Sequence, residues 1–326
     1  MKTLKLFRNI LFYGIGILII LCLSKCDDSN DHGSDTPDLD SLSMDNYPKV
    51  DGSTSAHPLQ VLIACKLLDV EYSWMPSFFD ETYRIWPSFD VKPDVARFIV
   101  DSITSNGTHQ AFVNLINAKA DVILVARAAS PDELNLAENA GIELVTTPIA
   151  LDAFVFIANI HNPVNSLTEK QIQDIYTGNI TRWDEVGGTQ TEINPYQRDP
   201  NSGSQELMLS LVMKDLTMIN APDMILYTMM GPINRITTDR EGLGYTVYFF
   251  EQFMAPHDSL KLLAVNGVFP EKKTLSHQQY IYTTEVYVVI REDLDKQSLA
   301  YRLYQWMSTY KGQMVVSESG YIPYYY

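Results

Sequence analysis

Three short turns carry the residues best suited to chemistry in this chain. They are Gly52-Ser53-Thr54-Ser55, Asn106-Gly107-Thr108 and Asn201-Ser202-Gly203-Ser204, and each precedes a stretch that reads as a helix. Small hydroxyl side chains and open backbone N–H groups at a helix start make an anion cradle. The first N–H groups of a helix lack partners, and its dipole favours negative charge there. Three such turns, far apart in sequence, point to one tetrahedral oxyanion held from several sides. Gly203 leaves the backbone open to close approach, since no Cβ blocks it. Arg198 stands four residues before Ser202, at the end of an expected strand. A guanidinium there can make two parallel bonds to one oxyanion. Arg127 is a second candidate cation, with a salt bridge to a surface acid as the plainer reading. Asp152 either takes a proton from the ligand or simply caps or pairs locally. His57 and His109 read as surface or packing histidines.

These turns need elements to hold them. From Tyr47 the chain alternates between strand and helix patterns. Val50 leads into the first glycine turn and Pro58–Leu68 follows as an apolar helix. Phe98-Ile99-Val100 reads as a strand and His109–Ala118 as a helix. Val122–Val125 is a buried strand, and Ile142–Val145 and Ala153–Ala158 are further strands. Ser130-Pro131-Asp132-Glu133 has the form of a capped helix start, and Ser166-Leu167-Thr168-Glu169 opens another helix. The alternation implies an α/β sheet, mainly parallel, with the ligand turns along one edge. Glu71–Asp90 is rich in aromatic residues and reads as an inserted loop or short helix, or else as an aromatic wall or partner surface.

Composition narrows the function. The chain has 326 residues and a formal net charge of −16, which argues against nucleic acid and anionic membrane surfaces. The overall charge does not exclude an anion site, because surface charge is screened beyond ~8 Å at physiological salt. Two of the three cysteines, Cys22 and Cys26, lie at the N-terminus, which leaves Cys65 as a buried thiol and no metal-ligand spacing. No cofactor or metal is expected. Lys2, Lys5 and Arg8 precede the apolar run Ile10–Leu23, as in a secretory signal. Leu23-Ser24-Lys25-Cys26 is similar to a bacterial lipobox, with Lys25 where a small residue is usual and Cys26 as the lipidated residue. Residues 27–46, rich in Asp and Ser, read as a disordered tether.

The order of motifs from Val50 to Tyr324 resembles that of bacterial phosphate-binding lipoproteins of ABC importers, the type II periplasmic binding proteins. The residues that carry the likeness are the three turns, Ala126-Arg127, Asp152-Ala153-Phe154 with Asn159, and Asn162-Pro163-Val164. Further on come Tyr176-Thr177-Gly178-Asn179-Ile180-Thr181-Arg182-Trp183, Tyr196-Gln197-Arg198, Gly244-Tyr245, Asn266-Gly267-Val268 and Gly320-Tyr321-Ile322-Pro323.

The resemblance implies a two-lobed α/β fold of two mixed sheets joined by two crossing hinge strands. Residues 47–150 and 281–326 would form lobe I and residues 151–280 lobe II, after a lipoprotein signal over residues 1–26. It assigns anion contact to Thr54, Ser55, Gly107, Thr108, Arg198, Ser202, Gly203 and Ser204, with Ser53, Arg127 and Asp152 as further candidates. The implied protein is a monomeric, extracytoplasmic phosphate-binding lipoprotein, tied to a membrane by its lipid and serving an ABC permease. Many members carry an aspartate after the strand that is Val122–Val125 here, whereas this chain has Ala126-Arg127-Ala128. That departure bears on which anion is taken. Two other readings are a binder of sulfate, molybdate or a small organic anion, and a serine hydrolase or phosphatase. The chain lacks a Gly-x-Ser-x-Gly elbow, which weighs against the hydrolase.

Overall fold

The computed structural model describes residues 37–77 and 80–325. Residues 1–36, with Cys26 and the signal pattern, and Phe78 and Phe79 of the aromatic segment lie outside the described residues.

The 16-residue strand Leu144–Asn159 organises the fold. Its first part pairs antiparallel with Thr283–Arg291, from Arg291 opposite Leu144 to Thr283 opposite Ala153. Its second part pairs antiparallel with Gly242–Val247 and with Leu260–Leu262. One strand thus runs through two groups of strands. The first group adds Val122–Val125, antiparallel to Thr283–Arg291, and Val50–Gly52, parallel to Val122–Val125. The second adds Asn194–Pro195, parallel to Gly242–Leu243. The sheet is mixed, not mainly parallel as the alternation implied. The reason is the crossing: a chain that leaves along Leu144–Asn159 and returns along Thr283–Arg291 pairs those strands head to tail. The two strands expected near 142–145 and 153–158 are one continuous element, and Ala150 to Ala158 are all buried.

Helices cover these strands. His57–Leu67 is buried on nearly every side from Pro58 to Cys65, as a helix that is mostly apolar all round must be, and its buried Gln60 donates to Asp51 O at 3.0 Å. Cys65 is a free, fully buried thiol. Phe98–Val100 is not a strand but part of the helix Pro93–Ser102. Proline opens that helix, and Ala96, Ile99 and Ile103 give helical spacing on the buried side. A run of so few apolar residues cannot show its own period. The aromatic segment is neither loop nor short helix: Tyr72–Pro76 and Tyr83–Pro87 form an antiparallel hairpin with Trp74 opposite Ile85. Lys66 of the first long helix lies 5.2 Å over the Tyr72 ring and bridges to Glu318 at 2.8 Å.

Residues 37–46, expected in the disordered tether, form turns against the body instead. Leu39 is buried in the core, and Asn46 accepts the Ser43 N–H at 2.7 Å. Two apolar residues in a polar stretch, Leu39 and Leu42, are enough to hold it there.

Candidate functional site

The first two turns are built as one unit. Gly52 ends its strand so close to its neighbour that a Cβ would fall 2.1 Å from the Leu124 carbonyl oxygen. Only glycine fits. Asp51, 3% exposed, then ties the turns together. Its carboxylate accepts from Gly52 N at 2.7 Å, Asn106 N at 2.9 Å, Asn106 Nδ2 at 2.9 Å and Asn114 Nδ2 at 2.6 Å. Gly107 N donates to Gly52 O at 3.1 Å. Gly107 takes φ 85°, a left-handed conformation open mainly to glycine, and stands as the N-cap of the helix Thr108–Ile116. Ser53 Oγ accepts from Ala126 N at 2.9 Å and shares a 2.7 Å bond with Thr108 Oγ1.

The third turn arrives from the other strand group. Arg198 ends the short strand Gln197–Arg198, parallel to Ile225–Leu226. Its backbone N–H donates to Gln205 Oε1 and to Tyr245 Oη, both at 3.0 Å. Its Nε donates to Leu226 O at 3.0 Å, and Nη1 meets Met229 Sδ at 3.5 Å. Burial pulls the Arg198 guanidinium below its ordinary value, but an arginine stays charged there. Ser202 is the N-cap of the helix Gly203–Leu207, and its hydroxyl makes no capping bond. A Cβ on Gly203 would lie 2.7 Å from Thr108 Oγ1. The second and third turns therefore touch at a point where an added Cβ would force one of them to give way.

Between them lies a cavity of 340 Å³. It is lined by Ser53, Thr54, Ser55, Gly107, Thr108, Arg127, Arg198, Ser202, Gly203 and Ser204. The structure thus brings together every sequence-predicted contact except Asp152. That residue is 1% exposed and away from the cavity lining. Asp152 Oδ1 accepts the backbone N–H groups of Ala153 at 2.8 Å and Phe249 at 2.9 Å. Burial pushes its carboxyl up to about 7. It pins the crossing strand instead of facing a guest.

Arg127 is paired, though with a buried acid and not a surface one. Nη1 meets Glu133 Oε2 at 2.7 Å and Nη2 meets Oε1 at 2.8 Å. Glu133 is fully buried and Arg127 is 6% exposed. His109 Nδ1 lies 3.1 Å from Glu133 Oε1, so this histidine packs on the cleft's support and not in the cleft. His57 bonds the Ile103 carbonyl at 3.1 Å, and burial lowers its pKa.

Sequence reasoning missed Asp199, Leu207, Tyr227, Thr228, Met229 and Val247, which also line the cavity. Asp199 was within reach, since it follows Arg198 directly in an otherwise acid-free turn. Tyr227 to Met229 enter through the pairing of Gln197–Arg198 with Ile225–Leu226, and no local motif marks them. Among the described residues no cluster of His, Cys, Asp and Glu could hold a metal ion.

The fold is that of the two-lobed, type II periplasmic binding proteins. The chain belongs to the PBP superfamily, whose domain model matches residues 77–308. Curated relatives include the phosphate-binding protein PstS of Borreliella burgdorferi, 24% identical over 54% of this chain and 64% of its own length. PstS of Staphylococcus epidermidis is 25% identical over 57% of this chain and 58% of its own length. The chain therefore spans somewhat under two thirds of the relatives it matches. Among solved structures, a putative phosphate ABC transporter substrate-binding protein with bound phosphate from Clostridium perfringens aligns at a TM-score of 0.62. It is 20% identical over 84% of this chain and 98% of its own. An ABC-type phosphate transport receptor from Vibrio cholerae aligns at 0.59, with 19% identity over 85% and 99% of the two chains.

Proposed function

We propose that this chain is an extracytoplasmic solute-binding lipoprotein that captures inorganic phosphate between two lobes and delivers it to an ABC permease. The observation that carries the reading is the meeting of three helix starts and Arg198 around one 340 Å³ cavity. Thr54, Ser55, Gly107, Thr108, Ser202, Gly203 and Ser204 supply hydroxyl and backbone donors, Ser53 braces the first turn, and Arg198 supplies the charge. Residues 47–150 and 281–326 form one lobe and residues 151–280 the other, with Ala150–Asp152 and Tyr280–Val286 as the crossings. The protein acts as a monomer held to its membrane by lipid on Cys26. The names of its relatives support the ligand and the importer.

Micromolar capture needs only ~8 kcal/mol net. Charge-assisted hydrogen bonds at ~1.5–3 kcal/mol each supply that several times over before desolvation is subtracted. Selection against sulfate requires an acceptor for the proton of hydrogen phosphate. Asp199 is the carboxylate that lines the cavity, so it takes that role in place of Asp152. Among the described residues no histidine lines the cavity to activate Ser55 or Ser204, which favours binding over turnover.

Titration calorimetry with phosphate and sulfate tests the reading. Phosphate should bind at micromolar or better and sulfate at least ten-fold more weakly, with Asp199→Asn narrowing the gap. Equal binding of the two anions would point to a general oxyanion binder. Hydrolysis of a chromogenic phosphomonoester would show an enzyme instead.

A further inference from the structure

We propose that Glu133 is a positioning residue for anion capture: it grips the outer nitrogens of Arg127 and leaves the Nε edge of the guanidinium open beside the cleft. This rests on the phosphate-binding reading above.

The Arg127 guanidinium has five N–H donors. The bidentate pair with Glu133 uses Nη1 and Nη2, and Nη1 also donates to Ala128 O at 2.8 Å. The Phe112 ring lies 5.9 Å from the guanidinium carbon. Nε is buried and makes no hydrogen bond. It sits 4.0 Å from where a Cβ of Gly203 would be, beside the start of the third turn's helix. A buried donor left open is costly unless something completes it, and Arg127 is among the residues that line the cavity.

Glu133 is itself held from three directions. It is the N3 residue of a capping box, so its Oε2 accepts Ser130 N at 2.8 Å. His109 Nδ1 lies 3.1 Å from Oε1, on the helix whose start is the second cradle turn. The helix cap thus doubles as the anchor of a ligand-facing arginine. The arrangement also sets the charge. Glu133 cancels the Arg127 cation, so Arg127 adds a directed hydrogen bond without adding net charge. A cleft built this way uses Arg198 for attraction and Arg127 for aim.

The test is calorimetry of inorganic phosphate against the full chain and three variants. These are Arg127→Met, Glu133→Gln and the double variant Arg127→Met/Glu133→Leu. The double variant replaces the buried pair with apolar groups, a change that such pairs tolerate. Arg127→Met should weaken binding about ten-fold or more, the worth of one charge-assisted bond. Glu133→Gln should weaken it too, because an amide oxygen accepts from only one of the two outer nitrogens well. The double variant should bind as Arg127→Met does, since Glu133 acts only through that arginine. In parallel, the Arg127 Nε–H resonance, assigned by its loss in Arg127→Met, should shift when phosphate is added. Unchanged affinity in Arg127→Met, a further loss in the double variant or a static Nε–H signal each overturns the inference. If the unaltered chain ignores phosphate, the functional reading itself falls.

Discussion

At Thr168 the chain starts a helix by closing on itself; at Ser202 it does not. Thr168 Oγ1 accepts Gln171 N at 3.1 Å, and Gln171 Oε1 accepts Thr168 N at 2.8 Å. Ser298 and Thr309 likewise cap their own helices. Ser202 and Gly107, at the cleft, make no side-chain capping bond. A self-capped start spends its first N–H groups on stability. An open start keeps them for a guest. A third arrangement stands at the crossing, where Asp152 accepts Phe249 N from the start of the helix that follows Gly242–Val247. The contrast teaches that hydroxyl residues before a helix do not by themselves mark a site. What distinguishes the cleft is that its hydroxyls point elsewhere, as Ser53 does toward Thr108.

The contrast breaks first at Arg198, which gives the open starts their charge. Arg198→Ala removes up to two charge-assisted bonds, about 3–6 kcal/mol, so phosphate affinity should fall more than 100-fold. Calorimetry reads the loss, and a melting curve without ligand checks that the fold persists. A fall of less than three-fold would mean that backbone donors suffice and that the arginine is structural.

Asp152 sharpens the middle case. Its folded carboxyl titrates near 7 because of burial, above the ordinary value of 3.8. The folded state therefore holds the proton more tightly than the unfolded state. Stability from this group is full at acid pH and is lost as pH rises from about 4 through about 7. The neighbours facing it are Tyr248 and Tyr321, both pushed upward by burial and still neutral in that window. Asp152→Asn cannot ionise, so its melting temperature should decline less between pH 5 and pH 8. The gap is on the order of a few kcal/mol. Parallel pH profiles for the two proteins would refute the claim.

Much of this was legible beforehand because caps and turns are local. Ser130 with Glu133, and the three cradle turns, involve residues within four positions of one another. Gly107 and Gly203 were readable as glycines a cradle requires, though not the reason at Gly203. That reason is contact with Thr108, ninety-five positions away. What failed was the part decided by distant partners. Phe98–Val100 looked like a strand because its helical period shows only with Ala96 and Ile103 included. The sheet's mixed sense follows from a return crossing that no segment announces. Asp152 left two readings open, a ligand contact or a local cap, and the partner that bears on the choice, Phe249 N on Oδ1, is ninety-seven positions away.

Gly203→Ala tests the contact between the two halves of the cradle. Its Cβ would meet Thr108 Oγ1 at 2.7 Å, and that hydroxyl is itself tied to Ser53 Oγ at 2.7 Å. The turns must separate by a few tenths of an ångström. Phosphate affinity should fall roughly ten-fold, about 1.4 kcal/mol, with the ligand-free melting temperature nearly unchanged. A loss of stability with intact affinity would instead show that the contact holds the fold and not the guest.

The smallest effect is expected at Thr168, where the opposite pattern should appear. Thr168→Ala removes the acceptor for Gln171 N in a helix none of whose residues is among those lining the cavity. Loss of a threonine cap costs about 1 kcal/mol, visible as a modest drop in denaturation midpoint. Phosphate affinity should stay within two-fold, because this helix start spends its N–H groups internally. If Thr168→Ala weakened phosphate binding as much as Gly203→Ala, capped and open starts would be energetically coupled. The division between stabilising and ligand-holding helix ends would then be wrong.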